Sequence, residues 1–240
     1  MISRFHFPGT LPDGGEVALP EAVVHHALRV LRLRDGEPLV LFDGGGGEVD
    51  ARLVVRGKAG HAVLGARRTI DRESPLQVVL VQALASGDKM DWIVQKAVEL
   101  GAAGVVPVAA ERSVLKLGGE RADKRRAHWQ QVAQAACEQC GRNRLPTVAE
   151  PTTLAAYLAA QRATAKLILA PGGESGLAGL QRPSAPLHVL IGPEGGWSEA
   201  ELAACRAAGC VALGLGPRIL RTETAGLAVL AALQAKWGDF

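Results

Sequence analysis

The reading of this chain turns on Leu213-Gly214-Leu215-Gly216-Pro217-Arg218-Ile219-Leu220-Arg221-Thr222-Glu223-Thr224-Ala225-Gly226. The apolar run 211–215 has the form of a short buried strand, the turn residues Gly214, Gly216 and Pro217 interrupt it, and a helical apolar pattern resumes after Thr224. Leu227, Leu230, Ala231 and Gln234 fall at three- and four-residue spacing, which predicts a helix over 224–236. Thr222 or Thr224 is placed to cap its first turn. A strand, a glycine-rich bend and a helix start make a place for a polar ligand. Arg221 and Glu223 stand there as charges at the head of a mostly apolar segment. They either serve that ligand, or pair with each other, or cap the helix.

Working outward, Ile191-Gly192-Pro193-Glu194-Gly195-Gly196-Trp197-Ser198-Glu199-Ala200-Glu201 repeats the design. An apolar strand runs into Gly192-Pro193, the chain turns through Gly195-Gly196, and Ser198 with Glu201 forms a capping box for a helix ending at Gly209. The spacing is neither GxGxxG nor GxxxxGK, so a nicotinamide or triphosphate site has no specific support. Glu194 is poorly placed against a phosphate and better suited to a ligand with a positive centre.

Upstream, the run 76–84 reads as a buried parallel strand, 88–100 as a helix closed by Gly101, and 105–109 as the next strand, which makes a βαβ unit. A long helix is expected over 120–139, with Trp129, Val132, Ala133, Ala136, Cys137 and Cys140 along its apolar stripe. Lys124, Arg125 and Arg126 crowd its first turns, either as a solvated face or as phosphate contacts. With a helix around 154–161 and apolar runs at 167–169, 188–191 and 210–213, the pattern is an α/β domain of about five parallel strands covered on both faces. Residues 1–72 differ: short strands at 4–7, 38–43, 49–55 and 62–66 and glycine turns predict a small β-barrel, with one helical piece at 21–33 ending in Arg29-Val30-Leu31-Arg32. The polar break before Pro75 sets the expected boundary, giving domains 1–72 and 73–240.

The apolar fraction of 48% excludes a disordered chain, and no stretch reaches 18 apolar residues without charge, which speaks against a membrane span. The opening residues lack the apolar core of a signal peptide, so a cytoplasmic location is expected. A net charge of +3 is too weak by itself to establish a nucleic-acid partner. Cys137 and Cys140 form a CxxC, but no second such pair or histidine cluster accompanies them, so buried thiols are expected and no metal.

Taken together, these loops resemble the SPOUT methyltransferases, and within them the ribosomal RNA small subunit methyltransferase E family. The resemblance is carried by Arg29-Val30-Leu31-Arg32, Phe42-Asp43-Gly44, Arg72-Glu73-Ser74-Pro75-Leu76, Gln95-Lys96 with Glu99-Leu100-Gly101, Glu111-Arg112-Ser113, Cys137-Glu138-Gln139-Cys140-Gly141-Arg142, Gly192-Pro193-Glu194-Gly195-Gly196 and the stretch from Leu215-Gly216 to Ala225. It implies a parallel α/β domain with a C-terminal deep trefoil knot, a PUA-like N-terminal β-barrel that helps hold RNA, and a homodimer. The implied cofactor is S-adenosyl-L-methionine, held by Leu169, Pro171 and Gly172, by Ile191, Gly192, Pro193, Glu194, Gly195 and Gly196, and by Leu213, Leu215, Gly216, Arg218, Ile219 and Leu220. Arg29, Arg32, Arg112, Arg142 and Arg144 are the implied RNA-facing set.

The implied reaction methylates N3 of a uridine in 16S rRNA, free or in the assembled small subunit. The N3 proton must leave for the nitrogen to attack, which calls for a base or for stabilisation of the uridine anion. Arg221 is the candidate for the anion, and Glu223 for orienting the base or taking the proton. The alternatives are a related knotted methyltransferase acting on another base or a ribose hydroxyl, an RNA-binding assembly factor without turnover, and a nicotinamide oxidoreductase. Intact glycine loops oppose the second, and the turn Ala85-Ser86-Gly87-Asp88, without the glycine fingerprint, opposes the third.

Overall fold

The computed structural model describes residues 2–115, 118–162, 164–173 and 175–240. Contacts divide the chain into two compact units, one of residues up to Glu73 with Cys137–Leu145, the other of Ser74–Ala136 with Pro146–Phe240. The second cut is where the expected domains need correction: 137–145 packs with the first unit. Asn143 donates to the Ile70 carbonyl at 2.9 Å, and Arg4 reaches the Asn143 side-chain oxygen at 2.7 Å. Polar groups buried in this way hold a segment in place because leaving them unpaired is costly.

In the first unit β1 (Ser3–His6), β2 (Gly15–Ala18), β3 (Pro38–Phe42), β4 (Glu48–Arg56) and β5 (Ala59–Arg68) form one sheet in the order β1-β3-β4-β5-β2. Its pairs are antiparallel except β1 with β3. Phe5, Leu39, Leu41 and Leu53 fill the core. Glu48, 2% exposed, is ringed by Arg4, by Arg68 at 2.9 Å and by Arg72 at 3.1 Å. Burial alone would raise its carboxyl, but hydrogen bonds from Arg4, Arg72 and Asn143 outweigh that and hold it at about 2. The helix expected over 21–33 is shorter, α1 (Glu21–His25) followed by a π-helical turn over His26–Val30. Arg32 then takes φ 56°, a left-handed conformation unusual for a side chain with a β-carbon.

The second unit contains β6 (Val78–Ala83), α2 (Lys89–Glu99), β7 (Gly104–Ala109), most of α3 (Glu120–Cys140), β8 (Thr147–Val148), β9 (Thr152–Thr153), α4 (Leu154–Ala160), β10 (Ala165–Leu169), β11 (Leu187–Ile191), α5 (Glu199–Ala207), β12 (Val211–Leu213) and α6 (Thr222–Trp237). The sheet is parallel throughout, in the order β12-β10-β11-β6-β7-β8, with β9 also on β7. Strand alternation divides β6 between two layers. Val81 and Ala83 join a cluster with Leu154 and Tyr157 of α4 and Cys205 of α5, whereas Leu80 and Gln82 lie close to Gly226 of α6.

The register sets the site. Leu169 pairs with Leu213 and Ile191 with Gln82, so the C-terminal ends of β10, β11 and β12 are brought to one edge of the sheet. In an open parallel sheet the loops leaving that edge are where ligands bind.

Candidate active site

A cavity of about 540 Å³ lies among these three loops, a volume suited to a cofactor-sized molecule. The loop after β10 contributes Leu169, Pro171 and Gly172 to its wall, and the loop after β11 contributes Ile191, Gly192, Pro193, Glu194 and Gly196. The third supplies Leu213, Leu215, Gly216, Arg218, Ile219 and Leu220 and ends on Arg221, and the first turn of α6 adds Glu223. Gly195 differs from expectation: the lining passes it by, and a β-carbon there would lie 3.1 Å from that of Arg112. The Arg112 guanidinium donates to its carbonyl at 3.1 Å.

Backbone contacts lock the loops together. Ala170 donates its amide to the Leu213 carbonyl at 3.3 Å, and Gly214 to that of Ser175 at 3.0 Å. A β-carbon on Gly173 would stand 2.5 Å from the Leu213 carbonyl carbon, so only glycine permits this approach. The expected threonine cap is absent, because the N-cap of α6 is Arg221 and no side chain caps it. Thr222 is used otherwise: its hydroxyl donates to the Gly192 carbonyl at 2.6 Å and accepts from Gln82 Nε2 at 2.9 Å. One buried hydroxyl thus ties the start of α6 to β6 and to the second loop.

The charges are arranged with similar economy. Among the described residues no ion pair joins Arg221 to Glu223, and Arg221 is exposed. Glu223 Oε2 is buried without a hydrogen bond and lies 3.5 Å from the Lys89 ammonium. That ammonium is also 3.3 Å from Glu194 Oε1, which accepts from the Ser86 amide at 3.0 Å and the Ser86 hydroxyl at 2.8 Å. Burial alone would raise the Glu194 carboxyl, but the Ser86 and Lys89 hydrogen bonds outweigh it and hold the group at about 2. Two carboxylates sharing one ammonium leave a local excess of negative charge around Lys89, which favours a ligand with a positive centre there, while Arg218 and Arg221 also line the cavity. The Trp197 indole, 8% exposed, completes the wall with its N–H unpartnered.

The expected RNA-facing arginines divide. Arg29, Arg32 and Arg112 are exposed, as is Arg144, whose guanidinium donates to the Gly45 carbonyl at 3.1 Å and lies 3.7 Å from Asp71. Arg142 is a correction: it is 5% exposed and its guanidinium forks onto the Glu73 carboxylate, with Nε to Oε1 at 3.1 Å. A guanidinium buried against a carboxylate is structural and unavailable to a phosphate. Arg126 donates to the Val148 carbonyl at 3.2 Å. Neither CxxC cysteine is in a disulfide: Cys137 is buried and donates its thiol to the Arg144 carbonyl at 3.6 Å, Cys140 is half-buried, and burial first of all pushes Cys137 up to about 12. The capping box of Ser198 and Glu201 forms as read.

Lys89, Thr222, Trp197 and Ala225 are among the wall residues that escaped the sequence reading. Lys89 carried a usable signal, a cation on the first residue of a helix, where the dipole disfavours it. Thr222 and Trp197 carried none beyond their neighbours.

A parallel sheet with a loop-built cavity, together with a separate β unit, corresponds to matches with two family models, the RNA methyltransferase domain over residues 72–234 and the RNA methyltransferase PUA domain over residues 19–60. These define the class as RNA methyltransferase enzymes. The ribosomal RNA small subunit methyltransferase E of Bacillus subtilis is 36% identical over 88% of this chain and 86% of its own, and that of Mycobacterium bovis 36% over 99% and 94%. Among solved structures, the same enzyme from Neisseria gonorrhoeae, bound to S-adenosyl methionine, is 44% identical with a TM-score of 0.95, covering 100% of both chains. A Legionella pneumophila methyltransferase structure, also with bound cofactor, is 35% identical with a TM-score of 0.96 over 100% of both chains. The chain belongs to the ribosomal RNA small subunit methyltransferase E family.

Proposed function

We propose that this protein transfers a methyl group from S-adenosylmethionine to N3 of a uridine in the 16S rRNA of the small ribosomal subunit. The observation that carries the reading is the buried, unbonded carboxylate oxygen of Glu223 on the cavity wall, beside the exposed Arg221. The residues fit the cofactor: the volume is adequate, the loops offer backbone polar groups, and the carboxylates suit a cation. When bound, it supplies an electrophilic methyl group on a sulfonium.

The chain's residues have divided tasks. Arg221 stabilises negative charge on the uridine carbonyl oxygens as the N3 proton leaves. Glu223 takes that proton, directly or through water, or orients the base. Leu169, Pro171, Gly172, Ile191, Gly192, Pro193, Glu194, Gly196, Leu213, Leu215, Gly216, Arg218, Ile219 and Leu220 hold the donor. The first unit acts as a PUA-like β-barrel that grips RNA through Arg29 and Arg32, with Arg112 and Arg144 adding contacts. The second unit is knotted and dimeric. The backbone hydrogen bonds of Ala170 and Ser175 with 212–214, and the place of the last strand β12 beside β10, are in keeping with a knot. No helix among the described residues is long and apolar enough to cross a membrane, and a cytoplasmic enzyme acting on ribosomes is the reading adopted.

The test is transfer of labelled methyl from S-adenosylmethionine to purified small subunits and to protein-free 16S rRNA, both from cells lacking the endogenous activity, with nucleoside analysis. N3-methyluridine on either substrate is the expected product. Methylation at a ribose, or no transfer despite cofactor binding, would overturn the assignment.

A further inference from the structure

We propose that Lys89 is a positioning residue of the transfer site, holding the Glu223 carboxylate in place by charge. The inference rests on the role given to Glu223 above. Lys89 opens α2, where the field of the helix disfavours a cation, and two carboxylates, one from the loop after β11 and one from the first turn of α6, offset that cost. Their dependence on it differs. Glu194 Oε1 accepts two hydrogen bonds from Ser86, so its place is fixed without the lysine. Glu223 Oε2 has no hydrogen bond, and the ammonium 3.5 Å away is the cation paired with it.

Removing that ammonium would leave two like charges facing the gap it now fills. Carboxylates in that situation separate, or one takes up a proton. Either response withdraws an oriented anion from the cavity. Lys89 therefore acts through Glu223, and its loss should appear in the rate of transfer more than in cofactor affinity.

The experiment compares K89M, K89R, E223Q and K89M/E223Q in single-turnover transfer to small subunits, with calorimetric titration of S-adenosylmethionine and a crystal structure of K89M. K89M should slow transfer about tenfold to a hundredfold, as displacement of a catalytic group by about 1 Å does. K89R should recover to within about threefold of wild type, and K89M/E223Q should be no slower than E223Q. In the K89M crystal the Glu223 carboxylate should be displaced while Glu194 stays on Ser86. Should K89M fail to fold, Lys89→Gln takes its place with the same outcomes. Losses that multiply in the double variant, or an unmoved Glu223, would overturn the proposal while leaving the role of Glu223 standing. A wild-type rate for E223Q would overturn both.

Discussion

Glu194 lines the cavity with its charge stabilised by Ser86 and Lys89, neighbours that belong to another segment, so its ionisation is coupled to folding. Its carboxyl lies at about 2 in the folded chain against an ordinary 4.5, a depressed value. Such a group contributes stability that is fully present above the unfolded value and is lost as pH falls through the folded one. Glu194→Gln removes this contribution. The gap in urea midpoint between wild type and variant should therefore be widest at neutral pH and narrow steadily from about pH 5 to about pH 2. A gap independent of pH would mean that Ser86 and Lys89 do not hold a charge there. Gly173 is the steric counterpart. Gly173→Ala puts a methyl group into the Leu213 backbone, with an expected loss of about 1–3 kcal/mol on denaturant unfolding. Cofactor affinity by calorimetry should fall with it, since the first and third loops must part.

At the level of elements, α5 shows how a cap serves two purposes. Ser198 Oγ accepts from the Glu201 amide at 3.2 Å, Glu201 Oε2 accepts from the Ser198 amide at 2.9 Å, and Glu201 Oε1 accepts from the Glu111 amide at 2.8 Å. Ser198→Ala breaks one arm only, so a loss of about 1 kcal/mol in denaturant unfolding is expected, with the Glu111 loop kept. Helix α6 makes the complementary point: Gly226, costly inside a helix, lets it approach Leu80, Gln82 and Ile191, because a β-carbon there would lie 3.3 Å from Leu80. The capping box was legible because its signal is local, and so were the long strands. Strands of a parallel sheet are buried on both faces, and Val189-Leu190-Ile191 advertises this as an unbroken apolar run. Two-residue strands such as β8 and β9 have no periodicity to read. The exposed β2 lacks a buried face. Arg142 was misread because its chemistry suits a phosphate as well as it suits Glu73, and the partner is 69 residues away in the chain. Lys89 pairs across still longer separations, which no local pattern encodes.

For the molecule as a whole, the proposed function assigns base chemistry to the second unit and RNA affinity to the first, and mutation can test whether the two separate. Arg29 and Arg32 stand exposed in the first unit around Val30, 58% exposed, and Leu31, 44% exposed. The left-handed Arg32 is the sole residue other than glycine with positive φ among those described, and such conformations cost about 1–3 kcal/mol when a β-carbon is present. A strained arginine on an exposed turn gives nothing back to packing, so its use is sought in binding. Arg29→Ala combined with Arg32→Gly should then lower affinity for the small subunit without lowering the unfolding midpoint, because glycine accepts φ 56° freely. Each phosphate no longer neutralised reduces the slope of log K against log salt by about 0.7–0.9, so the pair should reduce it by about 1.4–1.8. Affinity for S-adenosylmethionine, bound in the other unit, should remain within about twofold of wild type, well under the tenfold that about 1.4 kcal/mol represents. Filter binding over a salt series with calorimetry of the cofactor separates the outcomes. An unchanged salt slope would place the RNA elsewhere, and a parallel loss of cofactor binding would show that the two units do not act independently.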